Sequence, residues 1–353
     1  MRIGIPREIK TQEGRVALVP GACGDLVAAG HEVYIEAGAG ASSGFSDEAY
    51  QQAGAHIAPD AEALFEKAEL IVKVKEPIDG DLQYLRRDHL LFCYLHLAAE
   101  PALTKRLLEI GLTGVAFETV EEADGSLPLL APMSNIAGRI ATQVGTHLLH
   151  QPQGGRGVLL GGIPSADRGH VVVLGAGAAG GNAARLAAAS GARITVFDKR
   201  QDRLAEMQAI GSNVTALYAY SDTVAEYVAD ADLVIGAVLV TGARAPRVVT
   251  RDMVANMHEG AVVVDISIDQ GGCIETTRPT TYAEPTYQVD GVTHFSVTNM
   301  PGAVPRTASQ ALSATILPYV QRMAKPGWDQ VESLRHGINV RGGELVHPAL
   351  KQA

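Results

Sequence analysis

Residues 171–180 read VVVLGAGAAG, and a small-residue segment then leads to RITVFD at 193–198. Three glycines stand in G-x-G-x-x-G order. Gly175 makes the tight turn, Gly177 lets a phosphate approach the backbone, and Gly180 lets the next helix lie close to the sheet. The predicted helix over 178–190 offers unpaired N–H groups and the positive end of its dipole to an anion. A second strand, 193–197, is closed by Asp198, 18 residues past Gly180. A carboxylate there accepts hydrogen bonds from both hydroxyls of an adenosine ribose and repels a 2′-phosphate. Glycines alone also mark ordinary turns, but strand, helix and spaced acid together predict a dinucleotide site that favours NAD over NADP. Lys199, Arg200 and Arg203, just beyond the acid, are the basic groups on which an NADP reading would rest.

With 353 residues the chain has the length of about two domains. A hydrophobic content of 46%, 19% charged residues and 38 glycines spread without a repeat describe a folded globular protein. The formal charge of -10, with no basic run to offset it, argues against nucleic-acid and anionic-membrane partners. Cys23, Cys93 and Cys273 are odd in number and scattered, so neither a disulfide framework nor a zinc site is expected, and a reducing cytoplasm fits. The start, MRIGIPREIK, has no apolar signal core. Hydrophobic runs break well short of the roughly 18 residues a membrane span needs. A soluble, intracellular protein acting on small molecules is expected.

Before the glycine turn, apolar runs at 2–6, 32–37, 70–74, 90–95 and 113–117 read as strands, with helices at 22–29 and 101–110 between them. Such alternation implies a parallel sheet covered on both faces. A helix at 132–150 and a loose stretch lead into the nucleotide unit. Its strands are expected at 170–174, 193–197, 214–218, 233–236, 262–265 and 293–297, six in all, as two mononucleotide halves require. A helix over 307–325, stopped by Pro326 and Gly327, carries the chain back. The expected class is α/β, with two doubly wound domains on parallel sheets. A Rossmann NAD-binding domain would cover 131–304, and a Rossmann-like substrate domain 1–130 with 305–353, a cleft separating them.

Catalytic groups are then sought at strand ends of the first domain. Arg15 leaves the charged loop PREIKTQEGRVAL, where a guanidinium can clamp a carboxylate with two parallel hydrogen bonds; taken alone, it is more often a surface residue. Lys75 ends LIVKVKEP, in which Lys73 and Lys75 would share one face. A solvated edge strand is the bland alternative, but a lysine at a parallel strand's carboxyl end points into the ligand crevice. His96 closes LLFCYLH. Among eleven histidines any one is more often structural, yet this one ends a buried strand, and imidazole suits proton exchange near neutral pH. Asp269, in VVVDISIDQGG, follows a strand of the nucleotide unit, where an aspartate before Gly-Gly otherwise reads as a turn residue. Trp328, Met133, Met300 and Cys93 receive packing roles.

Together these residues carry a resemblance. MRIGIPREIKTQEGRVALVP, LIVKVKEP, LHLAAE, ETVEEADGSLPLLAPMS, GGRGVLLGG, VVVLGAGAAG, ADLVIGAVLV, VDISIDQGGCIETTRPTTY and VTNMPGAVPRTAS follow one another as in the alanine dehydrogenases, which the chain resembles along nearly its whole length. The resemblance implies reversible NAD-dependent oxidative deamination of L-alanine to pyruvate and ammonia. By position it makes Arg15 and Lys75 the holders of the substrate carboxylate and carbonyl, His96 the acid or base, and Asp269 the second catalytic residue. Beyond the glycines it implies cofactor contacts at Ser134, Ala178, Asp198, Arg203, Val238, Leu239, Ile266, Ser267, Ile268, Asp269, Arg278, Val297, Thr298, Asn299 and Met300. The family's serine near the adenine falls on Ala219 or Ser221. No metal is implied, and the family state is a homo-hexamer. The alternatives are an oxidoreductase for another amino or imino acid, the NAD(H)-binding module of a proton-translocating transhydrogenase, and an NAD-binding protein without catalysis.

Overall fold

Short apolar runs bounded by glycine, proline and charge become strands, and the amphipathic segments between them become helices. The computed structural model describes residues 1–238 and 245–351. Its chain divides into two units, Met1–Met133 with Gly302–Ala353, and Ser134–Pro301. In chain order the first unit supplies β1 (Arg2–Ile5), β2 (Glu32–Glu36), β3 (His56–Ala58), β4 (Leu70–Val72), β5 (Leu90–Cys93) and β6 (Thr113–Ala116). The second supplies β7 (His170–Leu174), β8 (Arg193–Asp198), β9 (Val214–Tyr218), β10 (Leu233–Gly236), β11 (Val262–Asp265), β12 (Thr286–Val289) and β13 (Val292–Phe295). The chain then returns to the first unit with β14 (Ile338–Arg341) and β15 (Glu344–Leu345).

In the first unit the strands lie in the order β15-β14-β6-β5-β4-β1-β2-β3. All run the same way except β14, which pairs antiparallel with both β6 and β15 at one edge. In the second the order is β12-β13-β11-β10-β7-β8-β9, with only β12 antiparallel. Each order reverses once, between β1 and β4 and between β7 and β10. In open α/β sheets ligands bind outside the carboxyl ends of the strands at that reversal. Strands covered on both faces read as unbroken apolar runs, as β4, β5 and, after His170, β7 do. Alternate side chains of β7 serve opposite cores: Val171 and Val173 pack with Ala183 and Ala187, Val172 and Leu174 with Val224 and Val254.

Several boundaries differ from expectation. β4 stops at Val72 and β5 at Cys93, so Lys75 and His96 lie in the turns beyond rather than in the strands. Two bonds, Lys73 N–H to the Phe92 carbonyl and Tyr94 N–H to the Val74 carbonyl, both 3.1 Å, extend the ladder to their threshold. β13 ends at Phe295, and the strands β3, β12, β14 and β15 were not foreseen. The helix Pro305–Met323 belongs to the first unit. Ser309 and Ser313 of that helix accept the N–H groups of Val16 and Val19 at 2.9 and 3.0 Å, fixing the segment that carries Arg15.

Candidate functional site

In the first unit the charged loop after β1 folds back over the end of β4. The Glu8 side chain is covered and accepts the N–H of Val74 at 2.7 Å and of Lys75 at 3.4 Å. Burial raises its pKa, against the opposing pull of Lys73 and the Val74 N–H. The Lys73 ammonium lies 3.6 Å from Glu8 and 3.0 Å from Asp81, with 1% of its side chain exposed. Lys73 is thus committed to two buried carboxylates. The chain bends at 74–75 once the strand has ended, turning Lys73 inward while Lys75 reaches Glu76 at 3.7 Å. Burial pushes the Glu76 carboxyl up, but the Lys75 charge and a hydrogen bond from Lys10 outweigh it and hold the group below its usual range.

Arg15 is 2% exposed. Its Nε and Nη2 grip both oxygens of Glu13 at 2.7 and 2.5 Å, and its Nη1 lies 3.2 Å from the Met133 sulfur. Burial works against the guanidinium charge, and Glu13 more than restores it. A cavity of about 360 Å³ opens beside it, lined by Arg7, Glu8, Glu13, Arg15 and Ser42 among others.

Beyond β5, His96 is half-buried with a left-handed backbone, φ 51°. Its ring stacks on Tyr94, 5.8 Å between centroids and 10° between planes. The Tyr94 hydroxyl donates to the Leu129 carbonyl at 2.6 Å. Because β4 and β5 are neighbours in register, Val72 opposite Phe92, Lys75 and His96 leave the sheet within one residue of the same level. Arg15 follows β1, on the other side of the strand-order reversal.

In the second unit the glycine turn has the geometry a dinucleotide needs. Gly175 stands at φ 96°, and a Cβ on Gly180 would lie 1.8 Å from the Gly175 carbonyl oxygen. A Cβ on Gly177 would meet nothing within 4 Å, leaving the approach to the backbone open. The helix Ala178–Ala189 starts at Gly177 with no side-chain cap, so its first N–H groups face outward for an anion. Asp198 ends β8 and accepts the N–H of Ala176 at 2.7 Å and of Arg200 at 2.9 Å. Behind it Arg200 is exposed and Arg203 half-buried, and they pair with Asp202 and Glu206 at 2.5 and 3.3 Å. Ser134 lies on the helix Ala131–Leu148, which is tied to the dinucleotide helix by Asn182 through Asn135 and Arg139 at 2.9 and 3.2 Å.

Asp269 lies with Ile266, Ser267 and Ile268 in the short helix Ile266–Gln270 after β11. Asp265 organises this turn from within the core. It accepts the N–H groups of Ser267 and Cys273 at 2.9 and 3.0 Å and the Thr277 hydroxyl at 2.6 Å. Ser267 donates to the Val238 carbonyl at 2.9 Å, joining the turn to the end of β10. Arg278 lies over the Tyr287 ring at 4.2 Å. Val297 and Met300 are buried, Thr298 is exposed, and Asn299 is left-handed at φ 58°. Ala219 and Ser221 follow β9. Leu239 lies outside the described residues. Among those described, no three His, Cys, Asp or Glu side chains are grouped to hold a metal ion.

Sequence reading passed over Glu8, Glu13, Glu118 and Asp265. Their only signal is position: Glu8, Glu118 and Asp265 stand at or within three residues of a strand's carboxyl end, and Glu13 lies further along the loop after β1. Glu118 accepts the N–H of His96 at 2.6 Å and of Leu95 at 3.1 and 3.2 Å.

Over residues 4–137 and 141–348 the chain matches the family models described as alanine dehydrogenase/PNT, N-terminal and C-terminal domain. It is 48% identical over 358 residues to the alanine dehydrogenase of Halomonas elongata, covering 100% of this chain and 96% of that one. To that of Bacillus subtilis it is 46% identical over 356 residues, covering 99% and 94%. A solved L-alanine dehydrogenase superposes with a TM-score of 0.96 at 49% identity, covering 100% of this chain and 98% of the other. A transhydrogenase from Sinorhizobium meliloti gives 0.86 at 26%, covering 99% and 100%. The likeness to the dipicolinate synthase A chain of Bacillus subtilis, 0.56 at 17% over 92% and 96%, extends to the fold alone. With matching models for both domains and relatives near half identity along its full length, this chain belongs to the alanine dehydrogenase/PNT family.

Proposed function

We propose that the protein is an NAD-dependent L-alanine dehydrogenase that interconverts L-alanine with pyruvate and ammonia. The observation that carries the reading is the set Arg15, Lys75 and His96, presented beyond strand ends at the reversal point of one sheet. The other unit adds an open glycine turn and an acid at the tip of the next strand. The transhydrogenase reading has less support, since the solved transhydrogenase is 26% identical to this chain and the solved L-alanine dehydrogenase 49%.

Residues of the glycine turn, Ser134, Asp198 and the Val238 and Ser267 turns would hold the dinucleotide. NAD, when bound, supplies the acceptor for the hydride leaving the alanine α-carbon. Arg15, its guanidinium oriented by Glu13, grips the substrate carboxylate. The substrate ammonium gives up a proton to solvent, hydride loss then leaves an iminium, and Asp269 orients the water that adds to it, one proton of that water passing to the nitrogen. Lys75 stabilises the oxygen that results, while His96 removes the hydroxyl proton of the carbinolamine as ammonia departs. Arg203, Ile266, Ile268, Arg278, Val297, Thr298, Asn299 and Met300 are assigned to the cofactor on resemblance.

The deciding assay mixes purified protein with L-alanine and NAD at alkaline pH and follows NADH absorbance, alanine being omitted in the control. Serine, glycine and glyoxylate, run alongside, separate alanine from other small substrates. No NADH in any arm would end the proposal. We also place the protein in the cytoplasm as a homo-oligomer, a hexamer by resemblance. All three cysteines are free and buried, and no described helix is long and apolar enough to cross a membrane. A sedimenting mass of a single 37.0 kDa chain would contradict the assembly.

A further inference from the structure

We infer that Glu118 is a positioning residue for His96, locking the backbone turn that aims the imidazole. It stands in the short helix Phe117–Thr119 directly after β6, the strand next to β5, with Ala116 opposite Cys93. Its carboxylate thus faces the chain just as that chain leaves β5. One oxygen takes the His96 N–H at 2.6 Å and the Leu95 N–H at 3.1 Å, and the other takes the Leu95 N–H at 3.2 Å. Only an ionised carboxylate is acceptor-only at both oxygens, so it can serve consecutive amides that point the same way.

Those bonds matter because His96 sits at φ 51°, a region that side-chain-bearing residues leave unless their surroundings hold them. With the turn held, the ring lies flat against Tyr94. Without it, His96 relaxes toward an ordinary backbone conformation and the ring swings off that platform. The Glu118 turn has its own anchor, since the Thr119 hydroxyl donates to Asn339 on β14 at 2.8 Å. A change at Glu118 therefore leaves the fold of the turn supported.

The inference rests on the reading of His96 as the acid or base, and a double-mutant cycle separates the two. Wild type, His96→Ala, Glu118→Gln and the double variant are compared for kcat with L-alanine, KM, NADH affinity and pH profile. Glutamine keeps the size but turns one acceptor into a donor facing donors. Glu118→Gln is expected to lower kcat by about 10- to 100-fold, the scale of a small misplacement of a reacting group, and to alter the His96 limb of the pH profile. NADH affinity should stay within about twofold, and the same change should cost under about twofold when His96 is already alanine. Near-normal kcat in Glu118→Gln, or equal losses in both backgrounds, overturns the inference while leaving the His96 reading intact. Near-normal kcat in His96→Ala overturns both. If the glutamine variant does not fold, Glu118→Asp, with its shorter reach, passes through the same cycle under the same criteria.

Discussion

An imidazole exchanges protons near neutral pH, whereas a guanidinium and an ordinary ammonium do not. In the proposed mechanism the proton therefore falls to His96 and the charge-holding to Arg15 and Lys75. His96→Ala is expected to lower turnover by roughly 10² to 10⁴ with cofactor binding unchanged; steady-state rates beside NADH titration check it, and near-normal turnover removes His96 from the mechanism. Asp198 braces the glycine turn through the Ala176 N–H, beside the ribose contact proposed for it. Asp198→Ala should weaken NAD by about 1 to 3 kcal/mol and improve NADP relative to it. Equal use of the two cofactors by the unaltered protein would refute that assignment. Glu76 predicts a pH effect. Its folded-state pKa is depressed, with burial opposing and Lys75 and Lys10 prevailing. The stability it contributes is therefore full above the unfolded value near about 4.3 and is lost as pH falls through the folded one. Melting temperature measured against pH should fall less steeply on the acid side in Glu76→Gln than in wild type.

At the scale of elements, the turn between β7 and the helix Ala178–Ala189 has two glycines with opposite reasons to be glycine. A Cβ at Gly180 would meet a carbonyl oxygen at 1.8 Å, which no rotamer relieves. Gly180→Ala should therefore cost about 1 to 3 kcal/mol or more. Gly177 has empty space where a Cβ would stand. Gly177→Ala should leave the melting temperature almost unchanged yet weaken NADH, because only a bound phosphate would meet the new methyl. Equal melting losses in the two variants would show that the turn is not shaped for a ligand. This turn was legible in the sequence because strand, glycines, helix and acid are local signals. β3, with three residues, and β15, with two, were not, since so short an edge strand carries no period. The carboxylates escaped for a related reason: Glu8 and Val74 are 66 residues apart, and Glu118 and His96 are 22 apart. Such pairings exist only once the strand order is known.

At the scale of the molecule the two units differ in how the chain builds them. Ser134–Pro301 is one continuous stretch, whereas the other unit needs Gly302–Ala353 to return to Met1–Met133. That return supplies structural parts the N-terminal stretch lacks. Leu312, Ile316, Val320 and Met323 of the helix Pro305–Met323 are fully buried, and its serines hold the backbone after Arg15. β14 covers the edge of β6, pairing Ile338 with Val115 and Val340 with Gly114. A fragment of residues 1–133 would expose an apolar core face and an open sheet edge, a combination that drives aggregation. A fragment of 131–301 loses no strand of its own sheet and keeps the whole helix Ala131–Leu148. The expectation is that 131–301 melts cooperatively and enhances NADH fluorescence in an Asp198-dependent way, while 1–133 does so only when 302–353 is supplied with it. Cooperative melting of 1–133 alone would show that its core closes without the returning segment. A folded 131–301 fragment that ignores NADH would remove the dinucleotide site from that unit.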